Sequence, residues 1–309
     1  MEKKLIVCIG ASLVDETFTC TSTPFLGTST PAKYDRSAGG VSRNIAHHFA
    51  CLGLSVELIS HFGNDSDGKW LMEQCTTAGI EIKHSLFNDS NTGKYAALLS
   101  PDGELFAGAA SSDFEELITP QFLYSNSSLL KKATLIQFDC NLSSESINWL
   151  LTFCRKENIP SIIEPVSIVK ASRLLHTDLN NVLLITPNLD ELLALTGEKG
   201  KIIPDNLINL LLDKGIKNLW LRNGKNGSTI YSTNHKFNLP AYQTNVIDIT
   251  GAGDAALAGW VYAFLKNKNW EDCLRYGHAM ASLILQVPGA IHPELSPVLL
   301  EKTFEKYNK

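Results

Sequence analysis

The chain has 309 residues, 44% hydrophobic and 19% charged, with a formal net charge of −5 and a pI near 5.9. This is the composition of a soluble globular protein, long enough for one large α/β domain or two smaller ones. It excludes the basic footprint of a nucleic-acid or anionic-membrane binder, and no run reaches the ~18 apolar residues that a membrane helix needs.

At the N-terminus, "MEKKLIVCIGASLV" sets Lys3 and Lys4 before an apolar run, as a signal peptide does. The run stops at Asp15-Glu16 with no small-residue cleavage site, so it reads as a first buried strand, 5–9, of a cytoplasmic chain. Further strand-like apolar runs follow at 56–60, 135–139, 161–164, 182–186, 218–221 and 229–231. Such continuous runs suit a parallel sheet covered on both faces. Amphipathic segments at 42–52, 68–78, 144–157, 190–195 and 204–214 predict helices between them. The βαβα rhythm predicts a layered α/β fold with right-handed crossovers. Seven cysteines are scattered without a CxxC pair, which reads as reduced core thiols and argues against a cysteine metal site.

Two segments break the rhythm. Residues 16–38 are rich in Thr, Ser and Pro, and 92–110 reads as two strands around a Pro101-Asp102-Gly103 turn. They are either surface loops or β-type insertions able to pair into a small sheet above the main one.

The chemistry concentrates in "NVIDITGAGDAALAGW", residues 245–260. Gly251 and Gly253 permit a sharp turn and close approach of backbone N–H groups to a ligand. A helix starting there would present unpaired donors and a partial positive charge to an anion. Asp254 beside an anion hole makes sense as the base that takes a proton from an attacking hydroxyl. On this motif alone, an Asp N-cap on a tight strand–helix turn explains it equally well. A dinucleotide fingerprint fits poorly, because the loose match of Gly251, Gly253 and Ala256 lies late in the chain. The G-x-x-x-x-G-K-[ST] phosphate loop is absent.

Other pieces are weaker singly. Gly39-Gly40 opens a predicted helix whose first turn carries Asn44, an amide suited to a polyol or to nothing more than a glycine turn. Asp15 lies shortly after the first strand, where open α/β sheets gather ligands, or it is a solvated loop carboxylate. Asn188 and Glu191 share the first turn of a helix, placed for water-mediated Mg²⁺ and phosphate contacts or for a capping box. Gly224 and Gly227 read as a hairpin turn or as a turn lying against a nucleotide.

In order and spacing, Gly39-Gly40-x-x-x-Asn44, Gly63-Asn64-Asp65-Ser66-Asp67-Gly68, Asn188-x-x-Glu191, Gly224-x-x-Gly227 and Asp248-Ile249-Thr250-Gly251-Ala252-Gly253-Asp254 resemble the signatures of the ribokinase-like (PfkB) carbohydrate and nucleoside kinases. The resemblance runs through the whole chain. It implies one kinase domain over 1–309, with a Rossmann-like three-layer α/β/α core, a mostly parallel central sheet and a small β-sheet lid from about 16–38 and 92–110. It further implies an ATP-dependent phosphotransferase with Asp254 as base and Gly251, Ala252 and Gly253 as the anion hole. Asp15, Gly39, Gly40 and Asn44 would hold the sugar or nucleoside. Asn188 and Glu191 would organise Mg²⁺, through water, and the phosphates. Arg222, Gly224 and Gly227 would line the nucleotide, and Asp248 and Thr250 match positions that take a monovalent cation, K⁺ in some members. The exposed edge of a lid sheet offers a homodimer surface.

Within the family, "GGVSRNIA", with Arg43 before Asn44, is similar to the form found in pseudouridine kinases, as are "FDCNLSSESINWLL" and "EPVSIVKASRL". That implies the 5′-hydroxyl of pseudouridine as acceptor, with Arg43 in its site. Ribokinase-, fructokinase- or adenosine-type activity is the alternative, and a catalytically silent nucleoside or sugar sensor is a third reading against which the intact Asp254 counts. His278 stands where many relatives carry Asn near the adenine, which sets this chain's nucleotide contacts apart.

Overall fold

A computed structural model of the protein describes residues 4–198 and 205–308. Its strands in chain order are β1 (Leu5–Ile9), β2 (Leu13–Cys20), β3 (Ala32–Gly39), β4 (Ser55–Ile59), β5 (His61–Gly63), β6 (Leu86–Asn88) and β7 (Lys94–Leu99), followed by β8 (Leu105–Ser111). The second half adds β9 (Leu135–Asp139), β10 (Ser161–Glu164), β11 (Leu184–Ile185), β12 (Leu219–Arg222), β13 (Ser228–Ser232) and β14 (His235–Leu239). Eight of them form the main sheet in the order β14-β13-β12-β11-β10-β9-β1-β4. The run from β4 to β12 is parallel, and β12, β13 and β14 pair antiparallel.

The strands are apolar throughout because the sheet is covered on both faces. Alternation along β1 sends Ile6 and Cys8 into one core with Leu58, Trp260 and Met280, while Val7 and Ile9 enter a second with Phe138, Leu150 and Leu192. Helices Val41–Cys51, Ala252–Leu265 and Trp270–Ile284 cover the first face; Ser144–Glu157, Leu189–Thr196 and Asp205–Asp213 cover the second. The helix Ala252–Leu265 is buried nearly all round, which its run of small and apolar residues permits.

A second, four-stranded sheet has the order β3-β2-β7-β8. Two antiparallel hairpins, β2–β3 and β7–β8, join through a parallel β2–β7 pair in which Asp15 lies beside Tyr95. The sheet is tied to the main body by an ion cluster. Asp67, on helix Ser66–Thr77, accepts from Arg36 of β3 and Lys94 of β7 at 2.5 Å each, and Arg36 stacks 4.0 Å over Trp70.

The α/β class and parallel sheet agree with the sequence reading, with differences of detail. The run 182–186 yields only the two-residue β11, because Val182 and Leu183 lie ahead of the ladder. The predicted helix 204–214 begins at Pro204, outside the described residues, and is observed as Asp205–Asp213. Strand β14, with the exposed pattern of an edge, and helices Trp270–Ile284 and Pro297–Tyr307 were not predicted. Among the described residues no helix is long and apolar enough to cross a membrane.

Partly exposed ion pairs contribute little to global stability, so Asp67→Ala is expected to leave it within about 1 kcal/mol. Amide hydrogen exchange in β2, β3 and β7 is expected to quicken. Unchanged exchange in those strands would show that the cluster does not fasten the small sheet.

Candidate active site

Parallel strands end at one edge of the sheet, and there the candidate residues meet. Residues 10–12 follow β1, Asp139 ends β9, Glu164 ends β10, residues 186–188 follow β11 and Arg222 ends β12. Two helix N-termini close over this edge. Gly40 (φ 97°) caps Val41–Cys51, and Gly251 (φ 70°) caps Ala252–Leu265.

The two helices are joined by a side-chain bond across their first turns. Asn44 Nδ2 donates to Asp254 Oδ2 at 2.9 Å, both residues being buried. Asn44 Oδ1 in turn accepts from Arg43 Nη2, which fixes which end of the amide faces Asp254. Arg43 is only 3% exposed. Its other donors reach the carbonyls of Ala38 and Gly39 and His47 Nδ1, so it is turned inward and orients its neighbours. Asp15 and Gly39 are brought together: a side-chain carbon at Gly39 would stand 2.1 Å from Asp15 Oδ2, so only glycine admits that carboxylate. Burial raises the Asp15 pKa to about 6 against the opposing charge of Arg43.

Asp254 lies in a crowd of like charges. Burial first, then the charge of Glu164 and more weakly Asp139, push its pKa up to about 7, while the Asn44 bond and Arg222 oppose the rise. A carboxylate that titrates near neutrality beside a helix N-terminus has the properties of a general base. The helix supplies the complementary half: the first-turn N–H groups of Gly253 and Asp254 have no partner within the helix. A side-chain carbon at Gly253 would stand 2.7 Å from Arg222 Nη1.

On the other flank, Asn188 and Glu191 form a capping box. Glu191 N donates to Asn188 Oδ1 and Asn188 N to Glu191 Oε2, each at 2.9 Å. Among the described residues the second Glu191 oxygen has no hydrogen-bond partner, and burial, then Glu164, hold its pKa above the ordinary carboxylate value. Among the described residues no group of three or more His, Cys, Asp or Glu side chains is placed to hold a metal. A divalent ion here would therefore draw most of its ligands from water and phosphate oxygens, the coordination habit of Mg²⁺. Asp248 accepts from Thr250 N and Oγ1 at 2.9 and 2.7 Å and from Gly289 N at 2.8 Å. These donors outweigh burial and hold its pKa below the ordinary value. Gly224 opens the turn of the β12–β13 hairpin, and Gly227 (φ 90°) closes it against the Leu239 carbonyl. His278 is enclosed. Its Nε2 meets Ser228 Oγ at 2.6 Å, its Nδ1 meets the Pro240 carbonyl at 3.2 Å, and burial lowers its pKa to about 4.

Two residues of this edge escape the sequence reading. Asp139, fully buried, accepts from the backbone N–H groups of Ala11 and Ser42 at 3.1 Å and of Asn141 at 3.0 Å, and so binds the loop after β1 to the helix carrying Asn44. Glu164 accepts from Arg222 Nη2 and from Thr186 Oγ1 at 2.7 Å. The available signal is an acidic residue closing a mostly apolar, buried strand, in "LIQFD" and "SIIE".

The family model for pfkB family carbohydrate kinases matches residues 3–297, and the chain belongs to that family. It is a phosphotransferase acting on an alcohol group of a sugar or nucleoside. Among particular proteins, it is similar to the uncharacterised sugar kinase YeiI of Escherichia coli, 31% identical over 87% of this chain and 74% of the relative. It is also similar to the E. coli pseudouridine kinase, 28% identical over 96% and 95%. A carbohydrate kinase from Agrobacterium tumefaciens superposes with a TM-score of 0.84 at 27% identity, over 98% of this chain and 97% of that one. Arabidopsis thaliana ribokinase complexed with ribose and ATP shares the fold, with a TM-score of 0.82 at 22% identity over 99% of each chain.

The Asp254 geometry has a consequence for stability. A carboxyl raised from its ordinary 3.8 to about 7 binds more protons folded than unfolded between those values, so stability is lost as pH rises through that window. Asp254→Asn is expected to melt higher than the wild type at pH 8 and equally at pH 4. Equal melting at both pH values would remove the charge conflict assigned to this residue.

Proposed function

We propose that this protein is an ATP- and Mg²⁺-dependent kinase that phosphorylates the 5′-hydroxyl of pseudouridine. The observation that carries the chemistry is the buried Asp254 carboxylate, raised to about 7 and bonded to Asn44 at a helix N-terminus. Support for the acceptor comes from Arg43 in "GGVSRNIA" and from the pseudouridine kinase that matches almost end to end. A ribokinase from Haemophilus influenzae matches at 26% identity over 85% of the chain, which keeps ribose as the competing acceptor.

In this reading Asp15, Gly39, Gly40 and Asn44 line the acceptor pocket, with Arg43 fixing Asn44. Asp254 takes the proton of the acceptor hydroxyl as its oxygen bonds to the terminal phosphorus of ATP. The bond from that phosphorus to the ADP oxygen breaks, and ADP leaves with the electron pair. The N–H groups of Gly251, Gly253 and Asp254 hold the phosphoryl oxygens where negative charge collects, Ala252 N–H being used on the Ile249 carbonyl at 3.3 Å. Mg²⁺, when bound, supplies charge neutralisation, with Glu191 and Asn188 placed to order its waters. Gly224, Gly227 and Arg222 face the nucleotide. Strands β2, β3, β7 and β8 act as a lid that excludes water. Exposed Phe18, Tyr34, Leu105 and Phe106 on that sheet suit a homodimer through the lid, and Asp248 with Thr250 suits a monovalent cation, which K⁺-dependent turnover would report. The seven free cysteines suit a cytoplasmic enzyme.

Asp254→Asn is expected to lower kcat by ~10²–10⁴ while calorimetric ATP affinity stays nearly unchanged; near-normal kcat would remove Asp254 from the mechanism. In the wild type kcat/KM should rise with pH through about 7, since the base works deprotonated. A limb near 4, the range of an unperturbed carboxylate, would contradict the assignment. ADP release measured with pseudouridine, uridine, ribose, fructose and adenosine selects the acceptor, and preference for ribose would overturn pseudouridine.

A further inference from the structure

Arg222 is held by Glu164 at one end of its guanidinium and approaches a helix N-terminus with the other. Side chains on a helix lean toward its N-terminus, so the point 2.7 Å from Arg222 Nη1 at which a Gly253 side chain would begin faces the open first turn. With the helix dipole and the unpaired N–H groups there, the guanidinium end adds to a donor set that favours an anion.

The guanidinium is anchored. Nη2 donates to Glu164 Oε1 and Oε2 at 2.6 Å each, and Nε donates to the Thr186 carbonyl at 2.9 Å. Glu164 is 5% exposed and takes a further bond from Thr186 Oγ1. A guanidinium serving only as an ion-pair partner would offer the carboxylate two nitrogens in a parallel fork. Here one nitrogen takes both carboxylate oxygens, and Nη1 is left without a protein hydrogen-bond partner among the described residues.

We propose that Arg222 is a further catalytic residue of the proposed reaction, Nη1 donating to an oxygen of the phosphoryl group in flight, and that Glu164 is its positioning residue. This rests on the kinase reading. Arg222 gives up no proton. The oxygen–phosphorus bond to the acceptor forms, the bond to ADP breaks, the hydroxyl proton goes to Asp254, and the electron pair leaves on the ADP oxygen. The arginine balances the charge that builds between them. It thereby also answers the repulsion that Glu164, Glu191 and Asp254 would exert on a triphosphate.

The experiment compares wild type with Arg222→Lys, Arg222→Ala, Glu164→Gln and the double variant Arg222→Gln/Glu164→Gln, which removes both members of the ion pair together. The readouts are kcat, calorimetric affinity for ADP alone and for ADP with aluminium fluoride and acceptor, and melting temperature. Removing one such donor should lower kcat by ~10²–10³. Affinity for the ADP–aluminium fluoride–acceptor complex should fall by a similar factor, and affinity for ADP alone should change little. Added guanidinium ion should restore turnover of Arg222→Ala without raising its melting temperature. Glu164→Gln should lower kcat less, with ADP affinity kept. The proposal is overturned if the double variant keeps the wild-type affinity for the aluminium fluoride complex, or if wild-type turnover survives in Arg222→Lys and Arg222→Ala. Absence of turnover by the wild type with every acceptor would overturn the kinase reading and this proposal together.

Discussion

The site is governed by the crowding of four buried carboxylates at the carboxyl edge of the sheet, where one guanidinium, Arg222, is held by Glu164. Asp139, Glu164, Glu191 and Asp254 are each at most 9% exposed, and an anion withdrawn from water is costly unless donors replace the solvent. The fold compensates them unequally. Asp139 receives three backbone N–H groups, Glu164 receives Arg222 and Thr186, and Glu191 receives the capping-box bond. Asp254 receives one amide from Asn44. Asp254 and Glu191 keep one hydrogen bond each, and of the two Asp254 is set at the open helix N-terminus, where it is able to take a proton near neutrality.

Topology explains why these groups converge. Strands β9, β10, β11 and β12 are neighbours running the same way, so Asp139, Glu164, the segment at 186–191 and Arg222 leave the sheet in a row. The acceptor flank is built differently. Three residues separate the Ile9 end of β1 from the start of β2, and β3 runs through Gly40 directly into Val41–Cys51. Displacement of the small sheet would carry Asp15 and Gly39 with it, while Asn44 and Asp254 stay bonded to each other on the main body. The Asp67 ion cluster fastens the strands that carry Asp15 and Gly39 to the helix Ser66–Thr77 of the main body.

Much of this was legible because it rests on local pattern. Continuous apolar runs located the parallel strands, and the glycine-spaced motifs located both helix N-termini. The misses have physical reasons. Strand β14 is an edge with mixed exposure, so it lacks the apolar run that marked its neighbours. Trp270–Ile284 is amphipathic yet interrupted by Gly277 and His278, which pack inward against Trp220 and Ser228. Asp139 and Glu164 were hidden because a single acidic residue at a strand end looks the same whether solvated or buried. Only the strand order places those ends beside Asp254.

Arg43 shows where pattern and geometry part. Beside Asn44 in the sequence, it reads as a residue reaching toward an acceptor. The fold instead consumes its donors on Ala38, Gly39, His47 and Asn44, and burial lowers its pKa despite the nearby Cys75, Asp15 and Asp254. Its influence on an acceptor must then pass through what it holds: the carbonyl end of Asn44, the backbone at residues 38–39 and, electrostatically, Asp15. An exchange of Arg43 for a shorter residue would free the Asn44 amide to rotate and remove the charge that restrains Asp15. In the proposed reaction, discrimination among acceptors would then be divided between the Arg43–Asn44–Asp254 chain, placing the reacting hydroxyl, and the row of β3, β2 and β7 residues around Asp15, meeting the rest of the molecule.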